Sequence, residues 1–313
     1  QYWLRSAATY ADLPLAGNSD GDGRYTLDTN KPYRWSSAAN SWVEAFSNRA
    51  SQAVSMGEKS GVPGQFDTYL GSYAGNTNKT GYQNVFLGAY AGSSNTSGNN
   101  NQFIGYRAGL RNTTGYNNVF AGVDAGLNNT AGNHNVFIGV QAGRSNQLGY
   151  SNVFLGPNSG LSNVSGNSNV SIGDNAGLSN VSGYGNVFHG FYAGAGNTTG
   201  NNNIFSGTYA GHKNKTGYQN IFSGVQSGFV FDGGWNNIFL GVNSGAATTW
   251  SQDNVFLGSY SGEGNINGIK NTYIGTKAGS TGNFTNATAI GYGASAVASN
   301  AVRIGNGDVS YIG

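Results

Sequence analysis

Seven carboxylates lie in the repetitive part of this sequence, at Asp67, Asp124, Asp174, Asp232, Asp253, Glu263 and Asp308. Glycoside cleavage needs two such groups about 5–10 Å apart, one to protonate the leaving oxygen and one to act as base or nucleophile. Asp124 and Asp174 are three repeat units apart, and Asp232 and Asp253 occupy different positions within theirs. No Ser-His-Asp or Cys-His order is visible either. Contacts between chains would be needed to assemble a pair, so no catalytic residue is assigned and the chain is read as a non-enzyme. The histidines, His134, His189 and His212, are too scattered to indicate a metal cluster. Absence of Cys excludes disulfides and thiolate ligands. Asn18-Ser19-Asp20-Gly21-Asp22-Gly23 matches the start of a calcium loop, but Thr29 stands where its closing glutamate should be. A Gly/Asp turn accounts for these residues as well. No metal or cofactor is expected.

Recognition chemistry is better represented than catalysis. Two successive loops, Phe229-Val230-Phe231-Asp232-Gly233-Gly234-Trp235 and Ala247-Thr248-Thr249-Trp250-Ser251-Gln252-Asp253, replace small polar residues with aromatics. Aromatic faces bordered by carboxylates and amides suit sugar binding, and Trp is enriched in binding hot spots. Phe229, Phe231, Asp232, Trp235, Trp250 and Asp253 are therefore the candidate ligand-binding residues. Large aromatics are usually buried, so a hydrophobic clamp between protomers is the competing reading of the same loops.

Composition limits what must position these side chains. Only 9% of residues are charged and the net charge is +2, which gives no electrostatic reason to expect nucleic acid or anionic lipid. No stretch approaches the ~18 apolar residues of a membrane span. A chain beginning with Gln1 is expected to be a fragment or processed product, so the lack of a signal peptide carries no weight. The Asn-x-Ser/Thr sequons, such as Asn78-Lys79-Thr80, follow from the repeat itself.

Fifty-three Gly against four Pro, with abundant Asn, Ser and Thr, would fit disorder were it not for periodicity. Glycines from Gly71 through Gly88 and Gly105 to Gly275 recur every 17 residues, and the spacing then shortens to 16 at Gly291 and 14 at Gly305. One unit reads Asn84-Val85-Phe86-Leu87-Gly88-Ala89-Tyr90-Ala91-Gly92, followed by a loop with Asn95 and Gly98. Short Val-Phe-Leu runs are strands with both faces covered. G-x-x-x-G permits tight corners, and Asn-x-x-Gly supplies a second turn, using an Asn that can sit in the left-handed region or bond its own backbone. The Asn before each strand, as at Asn84, Asn118, Asn135 and Asn152, is expected to stack into a side-chain ladder.

Alternation along a strand sends its apolar columns to opposite sides. The Phe86, Phe103, Phe120 column is placed inside each roll. The Val85/Leu87 column and its equivalents then lie outside, where a continuous apolar stripe calls for association, most simply about a three-fold axis. That column turns polar at His189, Ser206 and Ser223, which predicts three hydrated layers at the trimer axis, since dry burial of them would be costly. After the loop Gly, Tyr82, Tyr116, Tyr150, Tyr184 and Tyr218 alternate with Asn, spacing the rings about 10 Å apart along the stack.

The closing segment Ala287-Thr288-Ala289-Ile290-Gly291-Tyr292-Gly293-Ala294-Ser295-Ala296, with Ala301-Val302-Arg303-Ile304-Gly305-Asn306, resembles the YadA-like head repeat. The 17-residue units resemble related repeats of phage tail fibres and bacterial fibre proteins. The resemblance implies a left-handed parallel β-roll trimer, and a downstream intramolecular chaperone removed after Arg303-Ile304-Gly305-Asn306…Ile312-Gly313. It covers roughly residues 68–313.

Residues 1–47 lack the period. Arg24-Tyr25-Thr26-Leu27-Asp28, Tyr33-Arg34-Trp35 and Trp42-Val43-Glu44-Ala45-Phe46 read as a small β-meander, similar to a module of phage tail fibres and too small to be stable alone. Residues 48–66 read as a connector and 67–313 as the roll. The fold expected is thus all-β: a homotrimeric parallel β-roll or solenoid with a small N-terminal meander. The function expected is an extracellular adhesive fibre segment, of a virion or a bacterial surface, presenting a surface for a cell-surface glycan or envelope receptor. A passive spacer, and then a polysaccharide depolymerase, are the alternatives.

Overall fold

The computed structural model describes residues 66–309 in full and, by backbone alone, the strands Gly23–Thr26, Lys31–Ser36, Ser41–Glu44 and Val54–Met56. Among these residues there is no helix, and so none long and apolar enough to cross a membrane. The organising unit is a three-residue strand once per coil. Val85–Leu87 pairs in parallel with Gln102–Ile104, placing Val85 beside Gln102, Phe86 beside Phe103 and Leu87 beside Ile104. The same register continues from Val54–Met56 to Val302–Ile304, and together these strands form a single parallel sheet of 16 strands among the described residues. Its first strand falls within the span read as connector. The chain is therefore a parallel β-solenoid of 17-residue coils.

Pairing does not stop at the strands. Tyr90 N donates to Ser72 O at 2.8 Å, Gly92 N to Ala108 O at 3.0 Å, Ser94 N to Leu110 O at 2.9 Å and Asn100 N to Tyr82 O at 3.0 Å. Corners and loops are thus hydrogen-bonded coil to coil, which gives the backbone of these irregular segments the partners it needs when buried.

The Phe column lies inside, as the alternation predicts. Phe86, Phe103, Phe120 and Phe137 are fully buried, with successive ring centroids 4.8–4.9 Å apart and planes within 8°. That separation is one strand spacing and suits offset stacking. The column breaks at Ser171, where Phe188 stands without a ring on one side and tilts 24° from Phe205. Two glycines per coil make room. A Cβ on Gly88, at φ +136°, would come within 2.5 Å of Gly105 O, and one on Gly92 within 2.6 Å of the Phe86 ring.

Two asparagine ladders complete the interior. Before the strands, Asn118 Nδ2 donates to Asn101 Oδ1 at 3.1 Å and to Gly132 O at 2.9 Å. Within the loops, Asn112 Nδ2 donates to Asn95 Oδ1 at 2.8 Å and to Gly115 O at 3.0 Å. Buried amides are tolerated because each finds partners in the coils above and below. At the start, the buried Asp67 gathers both ladders: its carboxylate accepts from Asn84 N at 2.7 Å, Asn78 Nδ2 at 3.0 Å and the Tyr69 hydroxyl at 2.9 Å. Burial, then the Asp67 charge, pushes the Tyr69 phenol well above its usual range.

Of the two uses expected of the loop asparagine, the structure shows the bond to its own turn backbone, Asn112 Nδ2 donating to Gly115 O at 3.0 Å, and not the left-handed conformation. Positive φ falls instead on the residue before the strand asparagine, such as Asn100 (56°) and Asn117 (56°), and on the corner residue between the paired glycines, such as Tyr90 (61°) and Arg107 (57°). For a non-glycine residue this conformation costs about 1–2 kcal/mol, and the coil-to-coil bonds at those same residues hold it.

Gly23–Thr26, Lys31–Ser36 and Ser41–Glu44 pair antiparallel in chain order. The rest of the N-terminal segment, including Asn18–Asp22 of the calcium-like stretch, lies outside the described residues.

Candidate recognition site

The outer face of the long sheet carries the second strand column. Leu70, Ile104, Ile138, Ile204 and Leu240 are exposed there, and Val85 and Leu87 are half-buried. His189, Ser206 and Ser223 interrupt it in consecutive coils, paired in register as His189 beside Ser206 and Ser206 beside Ser223. His189 and Ser223 are exposed and Ser206 half-buried, all on this outward sheet face.

The aromatic loops depart from the ordinary coil for an identifiable reason. Counting by 17 from Asn214, the next loop-ladder position is Phe231 and the one after is Thr248. Phe231 is 0% exposed and lies edge-on to Phe222 at 5.0 Å and Phe239 at 6.1 Å. It is a core residue in the amide's place, which removes it from the ligand-binding set expected from sequence. Asn214 Oδ1 consequently loses its donor and has no hydrogen-bond partner among the described residues. With the ladder interrupted, Gly233–Trp235 pairs in parallel with Trp250–Gln252, setting Gly233 beside Trp250 and Trp235 beside Gln252. Gly233 has no side chain to lift Trp250 away; a Cβ there would lie 3.3 Å from Trp250 Cδ1.

This pairing brings the two tryptophans together. Trp235 stacks on Tyr218 with centroids 5.6 Å apart and planes 5° off parallel, and Trp250 meets Trp235 edge-on at 5.5 Å and 89°. Trp250 remains 50% exposed. Beside them, Asp253 Oδ1 accepts from Asn236 Nδ2 at 3.1 Å, and Asp232 pairs with Lys215 at 3.1 Å, both partners largely in solvent. Such an exposed pair contributes little to stability, so its charges stay open to other partners. Phe229 belongs to a different cluster. It stacks on His212 at 5.4 Å and 9°, with Lys213 Nζ 5.8 Å from its ring centroid.

Of the six residues expected from sequence, the structure therefore joins Trp235 and Trp250, places Asp232 and Asp253 in polar pairs, and separates Phe229 and Phe231. Tyr218, His212, Lys213 and Lys215 were missed as neighbours. Tyr218 could have been found, because Trp235 is the next residue in its own 17-residue column. Among the described residues no three His, Asp or Glu side chains converge as metal ligands would. No protein-family profile matches this chain, and no curated protein matches it either.

Proposed function

We propose that this chain is a segment of a homotrimeric extracellular fibre presenting a recognition surface for a cell-surface glycan or envelope receptor. The observation that carries the reading is the departure at one level of an otherwise uniform roll, where the exposed Trp250 meets the half-buried Trp235 in an aromatic corner flanked by Asp232 and Asp253. An outward sheet face rich in Val, Ile and Leu supports self-association, and a closed three-fold arrangement would cover it on every copy. His189, Ser206 and Ser223 would then form hydrated layers at the axis, a register device rather than a ligand site. In this reading the roll is a YadA-like head of a virion tail fibre or bacterial surface fibre. Residues 1–47 form a trimeric module and residues 48–66 connect it. It acts without catalysis or cofactor, and neither nucleic acid nor membrane is its target.

The test is the double substitution Trp235→Ala with Trp250→Ala, scored by binding to glycans and cell envelopes alongside thermal unfolding. Loss of binding at an unchanged melting temperature supports the site. Retained binding with earlier melting identifies a clamp between protomers and places recognition elsewhere. A passive spacer is the second reading, favoured by the uniform coils from Asn84 to Gln219, and it predicts no binding at all.

A further inference from the structure

A cleft of about 530 Å³ crosses the loops, lined at one end by Lys215, Asp232 and Thr249, the last of which immediately precedes Trp250 in the chain. Its origin is legible coil by coil. At the two positions after the second corner glycine the chain reads Leu161-Ser162, then Leu178-Ser179, then Ala195-Gly196, then His212-Lys213. The two smallest side chains fall in one coil, and bulkier ones above and below leave a hollow over them. Its floor needs no ligand to satisfy it: Ala195 is buried, and Gly196 N donates to His212 O at 2.8 Å. The volume falls in the ordinary range of ligand clefts, which combine apolar surface with a few placed polar groups.

The walls define what could occupy it. His212 is fixed by rings on several sides, edge-on to Tyr192 at 5.8 Å and to Tyr209 at 5.2 Å and flat on Phe229. Tyr192 and His212 thus give the cleft a rigid aromatic wall. The lining holds two lysines, Lys213 and Lys215, against one carboxylate, Asp232, which pairs with Lys215, leaving a net positive rim. The Lys215–Asp232 pair is solvent-exposed, so an incoming anion can share Lys215 at small cost.

We infer that this cleft binds an acidic oligosaccharide, its sugar faces on the Tyr192/His212 wall and Ala195 floor and its carboxylate, phosphate or sulfate on Lys213 and Lys215. The inference rests on the recognition reading above and gives that surface a ligand class. It also extends the site from the tryptophans across the cleft, so that one glycan chain lying along the roll would touch both.

The test uses an immobilised panel of neutral oligosaccharides with their uronate-, sialate- and phosphate-bearing counterparts, together with intact cell envelopes. The full chain should retain acidic members in preference to neutral ones, with retention falling as salt rises. Lys213→Gln with Lys215→Gln should weaken it by about tenfold or more, as loss of charge-assisted contacts implies. Ala195→Leu should abolish it at an unchanged melting temperature, because Leu110, Leu127, Leu161 and Leu178 occupy the same position in other coils and the roll accepts them. Equal retention of neutral and acidic glycans, or panel or envelope binding undiminished in Ala195→Leu, would overturn the cleft while leaving the adhesive reading intact. If the unsubstituted chain binds neither panel nor envelopes, the adhesive reading itself falls.

Discussion

In the coils from Asn84 to Gln219 the core-facing loop position is an asparagine that donates to the asparagine one coil earlier, whereas the next two coils hold Phe231 and Thr248 there. In the first region one solution is repeated, and every loop amide has a place in a continuous ladder. In the second, the ladder is exchanged for a buried ring, the loop backbone forms its own short sheet, and Trp250 is held in water at its edge. Exposure of Trp250 is thus tied to an interior event. Replacing the ladder residue frees the loop from the Asn-x-x-Gly geometry, and the altered loop then carries the tryptophans.

The largest effect is expected in the uniform region. Phe137→Ala would open a cavity between two stacked rings and cost about 3–5 kcal/mol, measurable by denaturant unfolding. Asn146→Ala ranks next. Its amide donates to Asn129 Oδ1 at 2.7 Å and Gly149 O at 3.0 Å and accepts from Asn163 Nδ2 at 2.7 Å. Removing it strands the buried Asn129 Oδ1, at about 1–3 kcal/mol, while Gly149 O keeps Asn135 Nδ2 and Asn163 Nδ2 keeps Gly166 O; an unaltered melting curve would show that the ladder is not a stabilising element.

Phe231→Asn sharpens the comparison by making the second region resemble the first. It restores a donor for Asn214 Oδ1 but surrenders a buried ring worth about 1.5–3 kcal/mol, so the net loss should stay near 1 kcal/mol. Its main consequence should be quenching or shift of the Trp235 and Trp250 fluorescence as the loop returns to the ordinary path. The smallest change in stability is expected from Trp250→Ala alone. A half-exposed side chain away from the core should alter unfolding by no more than about 0.5 kcal/mol, even where glycan binding is lost.

Most of the solenoid was legible in the sequence because its signals are local and repeated. Strand alternation put the Phe column inside, the glycine pair marked the corners, and the asparagine before each strand announced a ladder. The loop asparagine was read as a turn device, which its bond to the glycine three residues on bears out; its part in a second ladder went unread, because only coil-to-coil stacking shows the amide facing inward. The site was half legible. Trp235 and Trp250 stood out as departures from the repeat. Phe231 looked like one of them until the 17-residue register placed it in the column of Asn214. The cleft was invisible for a different reason: Ala195 and Gly196 create it by what they lack, and its walls come from several coils.

We propose that the uniform coils join copies through their outward aliphatic face while the interrupted coils recognise a target. Light scattering on the purified chain in dilute buffer tests the first half most directly, since a chain of 32.4 kDa leaves that face open unless it associates. The expected result is a single species at three times 32.4 kDa. A stable, monodisperse monomer with Leu70, Ile104, Ile138 and Leu240 in water would contradict it.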